Sequence, residues 1–155
     1  MTRRFMLLGG ALLAVRPARA ASFPGTPTPW EGGQRHDFTC DGRPATVVVP
    51  RRAAPGRPWL WRGEFFGAFP AVDVALLARG WHVAYLDCKD TFGHPETLRH
   101  WDAFYRELVG RHGLARRPVL LGMSRGGLYV YRWASANPEK MGLIHGDAPV
   151  YDIKS

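Results

Sequence analysis

Gly122-Met123-Ser124-Arg125-Gly126-Gly127 decides how this chain is read. The apolar run Pro118-Val119-Leu120-Leu121 precedes it, and the segment Leu128 to Asn137 follows it. The run has the length of a short buried strand; the segment has helical length, with Asn137-Pro138 as its stop. A G-x-S-x-G pattern between strand and helix makes a sharp turn that lifts the central hydroxyl clear of the sheet edge. Glycines are needed on both sides, because a Cβ there would collide with the neighbouring strand and helix. Ser124 is thus the candidate nucleophile, and acyl transfer at a serine is the chemistry to which the pattern points. The plainer alternative is a tight turn that merely tolerates serine, and three glycines crowded into one turn count against it.

Upstream of this turn, strands and helices alternate. Pro95 to His112 carries Leu98, Trp101, Tyr105, Leu108 and Val109 at three- and four-residue spacing, a helical stripe that Gly113 ends. Trp81 to Leu86 reads as a strand before it. Pro70 to Arg79 reads as a helix with Val72, Ala75 and Leu76 on one face and Gly80 as its stop. Trp59-Leu60-Trp61 is a short buried strand whose indoles pack the sheet rather than line a sugar site. Earlier still, His36 to Cys40 and Ala45 to Val49 flank Asp41-Gly42, a two-residue hairpin signal. Downstream, Met141 to Gly146 reads as a strand running into Asp147. Two antiparallel strands followed by strand–helix alternation predict an α/β fold: three layers around a mixed, mostly parallel sheet.

At 155 residues, 46% apolar and 22% charged, the chain has the make-up of one globular domain. Its first twenty residues read as a signal peptide. Arg3 and Arg4 precede the apolar stretch Phe5 to Val15, and Ala18-Arg19-Ala20 supplies a small-x-small cleavage pattern. The paired arginines resemble a twin-arginine export signal, so the expected location is secreted or periplasmic. Residues 21–33 read as an exposed lead-in and 34–155 as the domain. The signal holds four arginines and no acid, so the mature chain carries +4 rather than +8. That balance, with no basic run interleaved with aromatics, calls for no nucleic acid, and no stable membrane insertion is expected after cleavage. Cys40 and Cys88 can pair in an oxidising compartment only if their Cα atoms lie close, which the sequence leaves open. Without a C-x-x-C or H-E-x-x-H pattern, neither a metal nor another cofactor is expected.

The order of hairpin, alternating strands and helices, and G-x-S-x-G turn resembles the first six strands of the α/β-hydrolase fold over roughly residues 34–155. Pro58-Trp59-Leu60-Trp61-Arg62, Phe65-Phe66-Gly67, Trp101-Asp102-Ala103-Phe104-Tyr105, the Ser124 turn and Asp147-Ala148-Pro149-Val150 are similar to a group of bacterial secreted hydrolases, prolyl-oligopeptidase-like or esterase-like. In that superfamily the catalytic groups run Ser, Asp or Glu, then His. The resemblance implies that the acid and the histidine follow later strands, so this chain reads as the N-terminal portion, truncated after about the sixth strand, with the nucleophile but not its usual base.

Roles follow from this reading. The Arg125 backbone N–H, at a helix N-terminus, is an oxyanion donor. The Gly63 N–H is expected as the second donor, with Arg62 or Glu64 as alternatives. Arg62 and Arg125 carry guanidinium groups suited to an acidic substrate group, or to salt bridges; Arg62 is the substrate-binding candidate. Asp147, at a strand's carboxyl end, is a possible acid or a turn cap. Of six histidines only His94 falls in a loop near that edge. The expected activity is hydrolysis of a small-molecule or carbohydrate ester without a cofactor. A peptidase of prolyl-oligopeptidase type and a non-catalytic binding protein are the competing expectations.

Overall fold

The computed structural model describes residues 21–152, and the signal peptide read at residues 1–20 lies outside them. The lead-in is exposed over most of its length, with two departures from that expectation. Thr28–Trp30 forms a strand, β1, and Phe23 is buried in the core. Three residues with a central proline show no alternation to read, and Pro29 is tolerated because β1 is an edge. Asp41 and Gly42 both take positive φ, 49° and 76°, and join β2 (Gly33–Cys40) to β3 (Arg43–Val49) in the expected hairpin.

The remaining elements are β4 (Trp59–Arg62), α1 (Ala71–Ala78), β5 (His82–Leu86), α2 (Pro95–Arg106), β6 (Val119–Met123), α3 (Gly126–Ala136) and β7 (Leu143–Asp147). The sheet order is β1-β2-β3-β5-β4-β6-β7. Five strands, β2, β4, β5, β6 and β7, run one way, and β1 and β3 run against them. From β4 the chain moves outward to β5 through α1, then crosses back to β6 through α2. The strand order therefore reverses between β4 and β6, and the crevice at their carboxyl ends is where such sheets place ligands.

The pleat divides the core. On one face Trp59 and Trp61 point at α2 and α3, where Trp61 stacks on Trp101 at 4.2 Å and lies 4.9 Å from Trp133. On the other face Leu60, Val48, Val83 and Leu121 pack with Leu77 of α1. Both indoles of β4 pack the sheet, as their place in a strand requires.

Two helices differ from their sequence reading. In α1 the buried positions are Asp73 and Leu77, while Val72 and Ala75 are exposed. The helix is rotated because Asp73 pairs with Arg62 beneath it. The stripe from Pro95 ends as an α-helix at Arg106 and widens into a π-type turn over Glu107–Arg111. There the His112 N–H donates to the Glu107 carbonyl at 3.2 Å, and Gly113 at φ +65° stops it. Cys40 and Cys88 are free and buried. Cys40 ends β2, Cys88 follows β5, and β3 runs between them, a gap of about two strand spacings or roughly 10 Å. A disulfide cannot span it. Burial pushes the two thiols up to about 11 and about 12. No helix among the described residues is long and apolar enough to cross a membrane.

Candidate active site

Ser124 sits at the junction of β6 and α3 with φ +48°, a left-handed conformation that a non-glycine residue rarely holds. Its main chain is tied on both sides. The Ser124 N–H donates to the Asp147 carbonyl at 3.0 Å, and its own carbonyl accepts from Gly127 at 3.0 Å and from Val150 at 2.8 Å. The loop that leaves β7 thus holds the turn in place. The surrounding glycines have steric reasons. A Cβ on Gly122 would lie 2.6 Å from Val130 and 3.1 Å from Gly127 Cα; on Gly127 it would lie 2.5 Å from the Val150 carbonyl oxygen. The Ser124 residue is exposed at this edge.

Arg125 follows at the N-terminal cap position of α3, where the first N–H groups have no partner within the helix and the dipole favours negative charge. Among the described residues its N–H is accepted by no backbone carbonyl. Gly63, expected as the second donor, is committed elsewhere: its N–H donates to the Leu121 carbonyl at 2.9 Å, extending the β4–β6 ladder by one residue. The next residue is the first beyond the ladder. The Glu64 main chain abuts α3, since a Cβ on Gly126 would stand 3.3 Å from Glu64 N.

The Glu64 side chain makes a connection that the sequence reading did not include. Its carboxylate, 3% exposed, accepts from Arg125 Nε at 2.6 Å and from the Tyr85 hydroxyl at 3.3 Å. The Arg125 guanidinium, 40% exposed, lies 5.0 Å from the Phe65 ring and 5.9 Å from that of Phe92. Burial, with the Glu64 charge second, pushes the Tyr85 hydroxyl above its usual range. The sequence offers Glu64 as an alternative donor and the Arg125 guanidinium as suited to a salt bridge, but nothing in the order of residues joins the two.

Other expected site residues are placed differently. Arg62, the expected substrate-binding cation, is buried in an ion pair. Alternation along β4 turns it to the α1 face, where it pairs with Asp73, both fully buried, and donates to the Ala68 carbonyl at 3.1 Å. Asp147 joins the site through its carbonyl, which receives the Ser124 N–H, and the residue is exposed at the end of β7. His94 is exposed just before α2. His36, His82, His100 and His112 are engaged with Pro24, Pro58, Asp41 and Ala21, His145 is exposed on β7, and among the described residues none hydrogen-bonds Ser124. No group of three His, Cys, Asp or Glu among the described residues could hold a metal ion.

No family model matches the chain, and no curated protein matches it. Solved structures do. A cold-adapted esterase from an Arctic intertidal metagenomic library matches at a TM-score of 0.62 and 16% identity, over 81% of this chain and 63% of that one. An epoxide hydrolase from Vigna radiata matches at 0.54 and 13%, over 75% and 40%. An α/β hydrolase from Novosphingobium aromaticivorans matches at 0.52 and 20%, over 74% and 44%. The chain spans less than two thirds of the length of each. At such identities the likeness is one of fold, and it agrees with the strand order, the crossover at β4 and the strained serine after β6: the chain has the α/β-hydrolase fold.

Proposed function

We propose that this chain carries the nucleophile of a serine hydrolase that acts on ester bonds through an acyl-enzyme on Ser124. The observation that carries the reading is Ser124 at positive φ between β6 and α3, beside an N–H that no backbone carbonyl among the described residues accepts. Such strain is retained where the surrounding structure holds it for a purpose. In the reaction Ser124 Oγ attacks the ester carbonyl and gives up its proton to a general base. The oxyanion of the tetrahedral intermediate accepts from the Arg125 N–H, and the Glu64 N–H replaces Gly63 as the second donor. Collapse releases the alcohol, and water then cleaves the acyl-enzyme. Asp147 remains the candidate acid, in keeping with an order in which the acid follows the serine. The substrate is a small-molecule or carbohydrate ester, and no cofactor enters a step. The basic, apolar and small-x-small pattern of residues 1–20 supports export of the mature chain to the periplasm or beyond the cell.

The test compares p-nitrophenyl acetate hydrolysis by residues 21–155 with that by Ser124→Ala, both shown to be folded by circular dichroism, with mass spectrometry of the acetylated chain. Hydrolysis is expected to fall to the uncatalysed background in Ser124→Ala, with the acetyl group on Ser124 in the parent. Equal rates and no adduct in folded protein would mean that residues 21–155 supply no base to Ser124, as the resemblance implies, or that the chain only binds. Cleavage of a prolyl peptide substrate in preference to the ester would move the activity to a peptidase.

A further inference from the structure

We propose that the Glu64–Arg125 ion pair is a clamp that sets the spacing of the two main-chain donors assigned above to the oxyanion; this rests on the nucleophile reading above. Each donor belongs to a residue whose side chain is one half of the pair. The Glu64 N–H leaves the loop after β4, and the Arg125 N–H leaves the first turn of α3. These elements are far apart in sequence, and an oxyanion pocket needs its donors held relative to one another. A misplacement of about 1 Å costs about 100-fold in rate.

The Arg125 N–H is placed by the helix and by the bonds around Ser124. The Glu64 main chain packs against Gly126 but makes no main-chain hydrogen bond among the described residues. The β4–β6 ladder ends at Gly63, and the next main-chain bond in the loop is Ala68 N–H to the Phe65 carbonyl. Glu64 is therefore held by that packing and through its side chain, which is buried and anchored to Arg125 Nε on α3 and to the Tyr85 hydroxyl on β5. Phe65 and Phe92 flank the guanidinium and restrict where it can swing. The pair also has an electrostatic consequence. A buried carboxylate beside a developing oxyanion opposes it, and the Arg125 charge cancels that field. Removing Arg125 alone should then be worse than removing both partners. In this role Glu64 and Arg125 are positioning residues through their side chains, separate from their backbone donors.

The test measures kcat and KM for Ser124-dependent p-nitrophenyl acetate hydrolysis in Glu64→Leu, Arg125→Met, the double variant and the milder Tyr85→Phe. Each single change at the pair is expected to lower kcat by about 10- to 100-fold with little change in KM. The double variant should be no slower than Arg125→Met, and Tyr85→Phe should show a smaller loss of the same kind. A second measurement needs no chemistry: 15N relaxation of the amides at positions 64 and 125, which should gain motion in Glu64→Leu and Tyr85→Phe. Unchanged kcat in folded variants, losses that multiply in the double variant, or amides as rigid as in the parent would overturn the clamp. If hydrolysis does not depend on Ser124, the catalytic reading fails, and the amide measurement alone decides whether the clamp exists.

Discussion

Ser124 holds a backbone conformation that costs an L residue about 1–2 kcal/mol, and its side chain makes no hydrogen bond that offsets this among the described residues. The cost belongs to the Cβ rather than to the hydroxyl, so alanine keeps it and glycine removes it. Ser124→Gly is expected to be more stable than Ser124→Ala by about 1 kcal/mol in urea denaturation, with both lacking hydrolysis above background. Equal stabilities would mean that the turn relaxes without strain. The serine was legible because its neighbours betray it: Gly122, Gly126 and Gly127 stand where a Cβ would meet Val130, Glu64 and the loop after β7. The second oxyanion donor was not legible. Whether an N–H is free depends on which carbonyl lies opposite it, and the Leu121 carbonyl takes that of Gly63. Register between distant strands makes that assignment, and nothing around Gly63 records it.

β4 and α1 show the same limit for whole elements. Hydrophobic spacing placed Val72, Ala75 and Leu76 on the inner face of α1, yet Asp73 is the residue that is fully buried. Arg62 arrives on the same side of the sheet by the alternation of β4 and captures it. Burial raises the Asp73 carboxyl above its usual range while the Arg62 guanidinium opposes that rise. Two charged groups in the core are worth little as a pair but much to each other. Asp73→Ala should cost about 3–5 kcal/mol by leaving the guanidinium buried and uncompensated, whereas Arg62→Met with Asp73→Leu should recover most of the loss. Chemical denaturation of the two variants decides it. A single variant as stable as the parent would show that water reaches the pair. The loop of residues 63–70 runs between these partners, so the same pair helps to hold the stretch that carries Glu64.

Across the molecule, the end of the sheet far from Ser124 gathers titratable groups around Phe23. The ring stacks on His112 at 4.2 Å and lies 5.8 Å from His36 and 6.3 Å from His82. His82 is buried, with Arg57 nearby and its Nε2 without a hydrogen-bond partner among the described residues. Burial first and the Arg57 charge second bring its pKa down to about 4, against 6.5 for an ordinary histidine. The unfolded chain therefore takes up this proton near pH 6.5 and the folded chain only near pH 4. The stability tied to the neutral imidazole is complete above about pH 6.5 and is lost as pH falls toward 4, on the order of 3 kcal/mol in all. His82→Leu should lack that portion of the acid loss, so its urea midpoint should change less between pH 7 and pH 4.5 than that of the parent. Parallel profiles would mean that the imidazole is protonated in place. Because Phe23 lies in the lead-in, this cluster also explains why a segment rich in proline and glycine is tied to the domain.

The architecture follows from local regularities: the Asp41-Gly42 turn, the apolar runs of β4, β5 and β6, the helical stripe from Pro95, and the glycines around Ser124. Each acts over a few residues, where period and turn chemistry leave a trace in the amino-acid order. Other features arise from contacts between residues far apart in the chain. The burial of Asp73, the loss of Gly63 as a donor, the separation of Cys40 from Cys88 by β3, and the meeting of Glu64 with Arg125 are of this kind. All four depend on which strands become neighbours and in what register. The chain order of residues carries that information only through the fold as a whole.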